Sequence, residues 1–405
     1  MTLIPLEEAQ AHILDACTAL APVDIPLSEA LALVAAAPVV ASEPVPPFDN
    51  SAMDGFAVRA ADTVGAPVKL PVVGALSAGE APTVAVRPGE AVRIMTGAPL
   101  PAGADAVVMV ELTAPAGGQE VEVQVQVAPG TAVRRAGDDL GAGDVVVRPG
   151  MVLAPGHLGV LASLGVDRVR VHPAARVGVL STGDELVEGP GSLLPGQIRD
   201  SNRPTLLGLV RRCGCEAVDL GTVADDEGSL VEAFQWAAPR CDAVVTSGGV
   251  SMGDFDLVKV VLDRLGKMRW MQVAIKPAKP LAFGVVAGTP VFGLPGNPVS
   301  SMVSFELFAR PALRKMMGVP SAAWRRALVP AVATDGLGRR PDGKVHFVRV
   351  VAAMGDEGRY SVRSAGGQGS HQLSAMAAAN ALAVLTDGDG VPAGALVPTM
   401  LLNCD

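Results

Sequence analysis

Cysteine and histidine are scarce in this sequence of 405 residues, which contains five of each. Only Cys213 and Cys215 lie close together, and their C-x-C spacing is tighter than that of the usual zinc-binding pair. The odd number of cysteines disfavours a disulfide framework and favours a reducing compartment. We therefore predict a cytoplasmic protein in which any bound metal has oxygen ligands and is Mg²⁺.

Long apolar runs and a basic N-terminal segment are also missing. No stretch reaches the roughly 18 uninterrupted apolar residues of a membrane-spanning helix. The first residues include Glu7 and Glu8 but no basic residue, unlike a secretion signal. The net charge of −9 disfavours general binding to nucleic acid or to an anionic membrane. An anionic ligand would therefore need a local group of cations.

Common catalytic signatures are absent as well. The sequence contains no G-x-S-x-G, H-E-x-x-H or G-x-x-x-x-G-K-[ST] motif, and no cysteine and histidine stand out as a nucleophile and its base. This pattern favours a site that works through positioning and electrostatics rather than through a covalent nucleophile.

The remaining composition is that of a folded protein. Hydrophobic residues make up 49% and charged residues 18%, and the length predicts two to four domains. Residues 1–41 have helical spacing and many alanines, which predicts two helices, the second capped by Ser28. Residues 56–140 contain short β-type runs, among them the alternating segment 121–127. A short helix is predicted at 157–165.

The second half of the chain predicts two further architectures. Residues 173–320 alternate between buried strands and helices, which predicts a parallel sheet covered on both faces. Ligands of such folds bind beyond the carboxyl ends of the strands. Residues 321–405 return to β-type runs and predict a small barrel or sandwich.

Four motifs with anion-binding chemistry fall at these strand ends. Residues 181–186 read S-T-G-D-E-L, which suits an anion at a helix start, although helix capping explains the pattern equally well. Residues 246–256 combine hydroxyls, two glycines and a pair of aspartates, which suit a phosphate and Mg²⁺. Residues 275–280 hold two lysines in a proline-stiffened loop, for which a solvated loop is the simpler interpretation. Residues 293–300 predict a helix start with a dipole-assisted anion site.

Four other motifs are individually weak. They are residues 47–55, 93–99, 134–139 and 366–371, and a structural turn or flexible loop is the simpler interpretation of each. Arg349 could point toward the last of them.

Taken together, nine segments resemble one family. They occur in the order found in molybdopterin molybdenumtransferases of the MoeA type, which are related to the E domain of gephyrin, and they span about residues 42 to 385. The segments are FDNSAMDGFAVR, RIMTGAPLPAGADAVV, RRAGDD, STGDEL, IRDSNRPTL, SGGVSMGDFD, IKPAKPLAFG, GLPGNPVSSMVSFELF and GQGSHQLSAMAAANAL.

The resemblance implies a multidomain fold of α/β and β type. A small helical domain would be split between residues 1–41 and 141–172, around an inserted β-rich domain at 42–140. A three-layer α/β domain with a parallel-type sheet, the molybdopterin-binding type, would follow at 173–320, and a C-terminal β-barrel-like domain at 321–405.

The resemblance also implies the last step of molybdenum cofactor synthesis. Adenylylated molybdopterin and molybdate are the expected substrates. Mg²⁺ would assist hydrolysis of the adenylyl phosphoanhydride, and the metal would join the dithiolene with release of AMP. The expected enzyme is a homodimer whose site lies between the 173–320 domain of one subunit and the 42–140 domain of the other. No nucleic-acid or membrane partner is implied.

Site residues follow from the matching motif positions. The implied catalytic residues are Asp54, Thr96, Asp139, Glu185, Asp225 and Asp256, of which Asp225 and Asp256 would also bind the metal. The implied substrate-binding residues are Ser247, Gly248, Gly249, Ser251, Lys276, Lys279, Pro295, Asn297, Pro298, Ser300, Arg349 and Ser370. Lysine, arginine and hydroxyl donors suit the two negative charges of molybdate.

Two of the departures from the family pattern bear on the anion site. Gln272 stands where many relatives have a lysine, which would weaken anion affinity, and Ala278 replaces the glycine of the I-K-P-G-K-P form. Two alternative functions remain open on the sequence, a non-catalytic scaffold of the gephyrin type and a molybdopterin adenylyltransferase. The set of five carboxylates counts against the scaffold, and the additional domains count against the adenylyltransferase. No residue separates molybdate from tungstate.

Overall fold

The computed structural model describes residues 3–249, 257–355 and 357–403. Eight α-helices lie in these ranges: α1 (Leu6–Ala16), α2 (Pro155–Ser163), α3 (Asn202–Arg212), α4 (Glu227–Ala237), α5 (Leu257–Leu265), α6 (Pro298–Ser304), α7 (Arg310–Met316) and α8 (Leu373–Ala378). A π-helical turn at Phe305–Ala309 joins α6 to α7. None of the described helices is long and apolar enough to cross a membrane.

The strands fall into three stretches of the chain. The first holds β1 (Val23–Pro26), β2 (Val34–Ala35), β3 (Val39–Val40), β4 (Asn50–Ser51), β5 (Gly55–Val58), β6 (Val68–Leu76), β7 (Ala91–Ile94), β8 (Ala106–Met109), β9 (Thr113–Pro115), β10 (Glu120–Val123), β11 (Val133–Arg134) and β12 (Val145–Val147). The second holds β13 (Arg168–His172), β14 (Arg176–Thr182), β15 (Leu186–Val187), β16 (Ile198–Arg199), β17 (Glu216–Val223), β18 (Ala243–Ser247), β19 (Gly266–Gln272), β20 (Ile275–Lys276), β21 (Pro280–Val286) and β22 (Thr289–Leu294). The third holds β23 (Leu328–Ala333), β24 (Leu337–Gly338), β25 (Val345–Met354), β26 (Tyr360–Ser364), β27 (Ala381–Leu385), β28 (Gly390–Val391) and β29 (Leu396–Leu401).

The N-terminal segment holds one helix rather than the two predicted. Ser28 lies in a single 3₁₀ turn, Leu27–Glu29, and the chain then enters β2 and β3. Ala32 has a φ of 64°, which a continuing right-handed helix does not allow. β2 pairs with β13 and β3 with β12, so long-range pairing overrides the helix propensity of the alanines.

These pairings join two distant stretches of chain. β1 and β2 flank β13 in one sheet, and a shared core that includes Leu153 and Leu161 fills the space beneath it. The stretch between them forms a six-stranded sheet in the order β8-β5-β7-β6-β10-β9. The alternating strand predicted at 121–127 ends at Val123. The four domain boundaries given above remain predictions.

The α/β region has the three layers that were predicted. Its sheet has the order β17-β14-β18-β22-β21-β19, in which β17, β14, β18 and β22 are mutually parallel. The sheet is mixed, because β21 and β19 run antiparallel at one edge. α3, α6 and α7 pack on one face and α4 and α5 on the other. Each fully buried leucine or valine of these faces contributes about 1.5–3 kcal/mol.

The C-terminal region forms a closed barrel, as predicted. Five strands in the order β25-β26-β23-β29-β27 close through pairing of β25 with β27. Closure removes the free sheet edges that would otherwise expose unpaired backbone groups. β20, from the α/β region, runs parallel to β25 and ties the two regions together.

A buried ion group stabilises the junction between α6 and α7. Both carboxylate oxygens of Glu306 accept from Arg326, at 2.7 and 3.2 Å, and Arg310 Nε lies 3.8 Å from the same carboxylate. All three side chains are at most 5% exposed. Buried charges of this kind depend on each other, because removal of one leaves the others without compensation.

We expect Glu306→Gln to destabilise the protein by about 3–5 kcal/mol, because two buried guanidinium groups would lose that carboxylate. The measurement is the urea unfolding midpoint and slope, followed by tryptophan fluorescence. The matched control is Glu216→Gln, since Glu216 forms an exposed pair with Arg176 at 3.5 Å. That control is expected to cost about 1 kcal/mol or less. Equal losses in the two variants would contradict the structural role of the buried group.

Candidate functional site

The carboxyl ends of four parallel strands line one edge of the α/β sheet. In register, Thr182 of β14 lies beside Val223 of β17, Ser181 lies beside Ser247 of β18, and Ser247 lies beside Leu294 of β22. The chain order reverses between β14 and β18, since β17 and β18 flank β14 on opposite sides. Such a reversal opens a crevice in which α/β proteins bind ligands.

Buried hydroxyls without partners mark this crevice. The Oγ atoms of Ser181, Thr182 and Thr246 are buried and have no hydrogen-bond partner within the described part of the chain. A buried polar group that lacks a partner costs free energy, and such groups in native proteins call for a specific explanation. Three such groups at the ends of the neighbouring strands β14 and β18 suit a binding site for a polar ligand.

Two glycines follow Ser247 directly. Gly248 and Gly249 have φ values of 98° and 66°, in the left-handed region that favours glycine. A Cβ atom would lie 2.7 Å from the Thr182 carbonyl oxygen at Gly248, and 2.2 Å from a Val258 methyl carbon at Gly249. The turn therefore forms with glycine alone, as the sequence motif predicts. Ser251 and Asp256 lie outside the described residues.

The helix expected directly after S-T-G-D-E-L is absent from the described structure. The chain turns after Thr182 and enters β15, which pairs with β16, and the next helix is α3. Asn202, in the first turn of α3, donates from Nδ2 to Ser247 Oγ and to the Gly296 carbonyl oxygen, each at 2.7 Å. Sequence reasoning missed Asn202, because the D-S-N-R segment has no ligand-binding signature of its own.

A cavity of about 910 Å³ lies between the α/β region and the barrel. It brings together six of the predicted substrate-binding residues, namely Lys276, Lys279, Pro295, Asn297, Ser300 and Ser370. Pro298 begins α6, as predicted. One backbone N–H of the anion site expected at that helix start is already taken, because the Val299 N–H donates to the Ser370 carbonyl oxygen at 3.1 Å.

The cavity is positively charged. Within residues 3–249, 257–355 and 357–403, no carboxylate pairs with Lys276, Lys279 or Arg340, all of which line it. Among the described residues of its wall, Asp342 alone is acidic. It is engaged by Lys344 and His346, and these contacts lower its pKa to about 2. Arg340 was not predicted, because R-R-P-D-G-K has the composition of a surface turn.

The two family departures have different structural consequences. Gln272 belongs to β19, where it pairs with Pro280, and it does not line the cavity. Its lack of charge therefore removes no cation from the cavity wall. Ala278 does line the cavity and has a φ of 77°, which strains a residue with a Cβ atom.

Arg349 is a fully buried cation without a carboxylate partner within the described residues. Its Nη2 donates to the carbonyl oxygens of Gly367 and Gly369, at 2.6 and 3.1 Å, whereas Nε and Nη1 have no partner there. Burial lowers the pKa of the guanidinium. Arg349 is not among the described residues that line the cavity, and its contact with the cavity wall is the hydrogen bond to Gly369.

Three implied catalytic residues lie away from the cavity. Asp54 Oδ1 accepts from the Thr96 N–H and from the Thr96 hydroxyl, each at 2.7 Å, and these bonds lower the pKa of Asp54. Asp139 is exposed, and its N–H donates to the Val45 carbonyl oxygen. In a single chain these three residues are not among the described residues that line the cavity.

Carboxylates also gather where β14 and β17 end. The Asp225 N–H donates to Asp184 Oδ1 at 3.1 Å, which brings the two turns together, and Glu185 is exposed beside them. Among the residues the structure describes, no three His, Cys, Asp or Glu side chains form a metal-binding group. Of the predicted metal pair, Asp225 is described and Asp256 is not. The oxygen donors present match Mg²⁺ in chemical type.

Comparison with known families gives three matches along the chain. Residues 4–165 match the family described as MoeA N-terminal region (domain I and II), and residues 178–315 match "Probable molybdopterin binding domain". Residues 330–402 match MoeA C-terminal region (domain IV).

Individual relatives agree with these matches. Molybdopterin molybdenumtransferase 2 of Mycobacterium tuberculosis (strain ATCC 25618 / H37Rv) is 41% identical over 392 residues, which cover 93% of this chain and 94% of that protein. The Haemophilus influenzae molybdopterin molybdenumtransferase is 40% identical over 373 residues, covering 92% of this chain and 91% of that protein. A crystal structure of the MoeA protein from Pyrococcus horikosii has a TM-score of 0.83 and 31% identity and covers 100% of both chains.

We expect Thr96→Ala to raise the pKa of Asp54, because one of its two hydrogen bonds from Thr96 is lost. The backbone bond remains, so the pKa should stay below the ordinary value for aspartate. A carboxyl ¹³C NMR titration measures this change. Thr131→Ala serves as the control, because the Thr131 hydroxyl donates to the Ala128 carbonyl oxygen in the same region. An unchanged Asp54 pKa in Thr96→Ala would show that the side-chain bond does not act on the carboxylate.

Proposed function

Because this chain belongs to the MoeA family of molybdopterin molybdenumtransferases, we propose that the crevice and the cavity together bind adenylylated molybdopterin and molybdate. The protein is a molybdenum-transferring enzyme of molybdenum cofactor biosynthesis. The proposal adds the reaction course: hydrolysis of the adenylyl phosphoanhydride with assistance from Mg²⁺, transfer of molybdenum to the dithiolene, and release of AMP.

The observation that carries the molybdate site is the unpaired positive charge at the cavity. Lys276 ends β20, which pairs with β25, and Lys279 directly precedes β21, which pairs with β19. Arg349 adds a buried guanidinium with two unused donors. In a chain of net charge −9, this local excess of cations supports the binding of a dianion.

The phosphate groups of the substrate are assigned to the crevice. Ser247 can donate a hydroxyl proton, and the Gly248–Gly249 turn lets the backbone approach a phosphate closely. The buried hydroxyls of Ser181, Thr182 and Thr246 provide further partners for a polar ligand. These groups act by orientation and charge stabilisation, and none of them needs to form a covalent bond to substrate.

The acidic residues are assigned to the metal and to water. Asp225 and Asp256 would hold Mg²⁺, which when bound neutralises part of the negative charge on the phosphoanhydride. Glu185, exposed beside the end of β14, is placed to orient a water molecule or accept its proton.

The arrangement of the inserted sheet supports a shared site in a homodimer. Asp54, Thr96 and Asp139 do not line the cavity of their own chain, and Asp54 and Asp139 are exposed. If these three residues reached into the crevice of a second copy, they would have the catalytic role that their family positions imply. We assign the enzyme to the cytoplasm, since four described cysteines are free and buried.

AMP release from adenylylated molybdopterin tests the proposed reaction. With Mg²⁺ present, we expect AMP to appear only after molybdate is added, because hydrolysis is coupled to metal transfer. Chelation of Mg²⁺ should abolish release, and readdition should restore it. Tight substrate binding with no hydrolysis under any oxyanion would instead favour a scaffold of the gephyrin type.

We expect Lys276→Ala and Lys279→Ala each to raise the KM for molybdate about tenfold or more, because each removes a charged hydrogen-bond donor from the cavity. Both lysines are exposed, so folding should be unaffected. Added KCl should raise the KM of the parent enzyme more steeply than that of either variant. The control is Lys69→Ala, an exposed lysine of the inserted sheet. An unchanged KM in both cavity variants would show that molybdate does not bind at these lysines.

A further inference from the structure

The Asn202 side chain connects two of the loops at the carboxyl edge of the sheet. Its Nδ2 donates to Ser247 Oγ and to the Gly296 carbonyl oxygen, each at 2.7 Å. A carbonyl oxygen only accepts hydrogen bonds, so the atom that faces Gly296 must be the amide nitrogen. The orientation of the Asn202 amide is therefore fixed by its surroundings.

The position of Asn202 is itself rigid. Asp200 Oδ1 accepts from the backbone N–H groups of Asn202 and Arg203, at 3.0 and 3.1 Å, and so fixes the first turn of α3. The Asp200 side chain is 2% exposed, which keeps water from competing for these bonds. Hydrogen bonds therefore hold both the backbone N–H and the side-chain amide of Asn202.

This geometry sets the direction of the hydrogen bond to Ser247. Both Nδ2 hydrogens are used, and Ser247 Oγ accepts one of them. The Ser247 hydroxyl proton stays available, because within the described residues Ser247 Oγ donates to no acceptor. Asn202 Oδ1 is buried and has no partner in that part of the chain, so both hydrogen bonds of the amide come from its nitrogen.

We propose that Asn202 is a positioning residue that keeps the Ser247 hydroxyl as a hydrogen-bond donor to a bound phosphate. It also holds the Ser247–Gly249 turn against the loop that contains Gly296. This inference rests on the proposed function, because Ser247 is assigned to phosphate there.

Asn202→Asp tests the direction of this hydrogen bond. The substitution keeps the shape but replaces the donor with an acceptor, so Ser247 would donate to the new carboxylate and not to phosphate. We expect the KM for adenylylated molybdopterin, at saturating molybdate and Mg²⁺, to rise about tenfold or more. The kcat should change much less, because a contact made equally in substrate and transition state affects KM alone.

A double-mutant cycle with Ser247→Ala separates positioning from general support of the fold. If Asn202 acts through Ser247, the double variant Asn202→Asp with Ser247→Ala should have the KM of Ser247→Ala alone, within about twofold. Additive effects would overturn the inference. If Asn202→Asp fails to fold, the same cycle is run with Asn202→Ala, which removes the donor without adding charge.

Asn380→Asp is the matched control. Asn380 in the barrel also uses both amide atoms, accepting from the Ala352 N–H at 2.6 Å and donating to the Ala352 carbonyl oxygen at 2.8 Å. Its substitution should lower the melting temperature while leaving the KM unchanged. An unchanged KM in Ser247→Ala would instead count against the phosphate role of Ser247 itself. A raised KM in Ser247→Ala with no effect of Asn202→Asp would refute the positioning role alone.

Discussion

The parallel hydrogen-bonded ladder of β17, β14, β18 and β22 is the constraint on which the site depends. Because parallel strands end at the same edge, four loops from distant parts of the sequence are forced into one row. Register then decides the chemistry, since a shift of one residue would turn Ser181 and Ser247 to the opposite face. The glycine turn after Ser247, the hydrogen bonds of Asn202 to Ser247 and Gly296, and the adjoining cavity all depend on this alignment.

Electrostatics explains how an acidic chain can take anionic substrates. Physiological salt screens exposed charges beyond about 8 Å, so the net charge of −9 acts weakly across the molecule. The cations at the cavity act at contact distance, and Asp342, the acidic residue of the wall, is already occupied by Lys344 and His346. The buried Arg349 is screened least of all. Local arrangement therefore outweighs overall charge.

Sequence reasoning succeeded where the signal was local. Alternating strands and helices predicted the three-layer region, and the S-G-G and K-P-A-K motifs predicted residues that the structure places at the crevice and the cavity. It failed where distant pairing decided the outcome. The alanine-rich segment after Ser28 favours helix, yet β2 and β3 pair with strands more than a hundred residues away. Asn202 was missed for the same reason, because its partners lie 45 and 94 residues further on.

Ala278 bears on how this loop can vary in nature. A Cβ atom at a φ of 77° costs about 1–2 kcal/mol, yet the loop closes because Val273 N–H donates to the Lys279 carbonyl oxygen at 2.8 Å and β20 pairs with β25. An alanine codon becomes a glycine codon through a single base change. Exchange between the two residues would alter the backbone strain at the apex of the loop while leaving Lys276 and Lys279 in place.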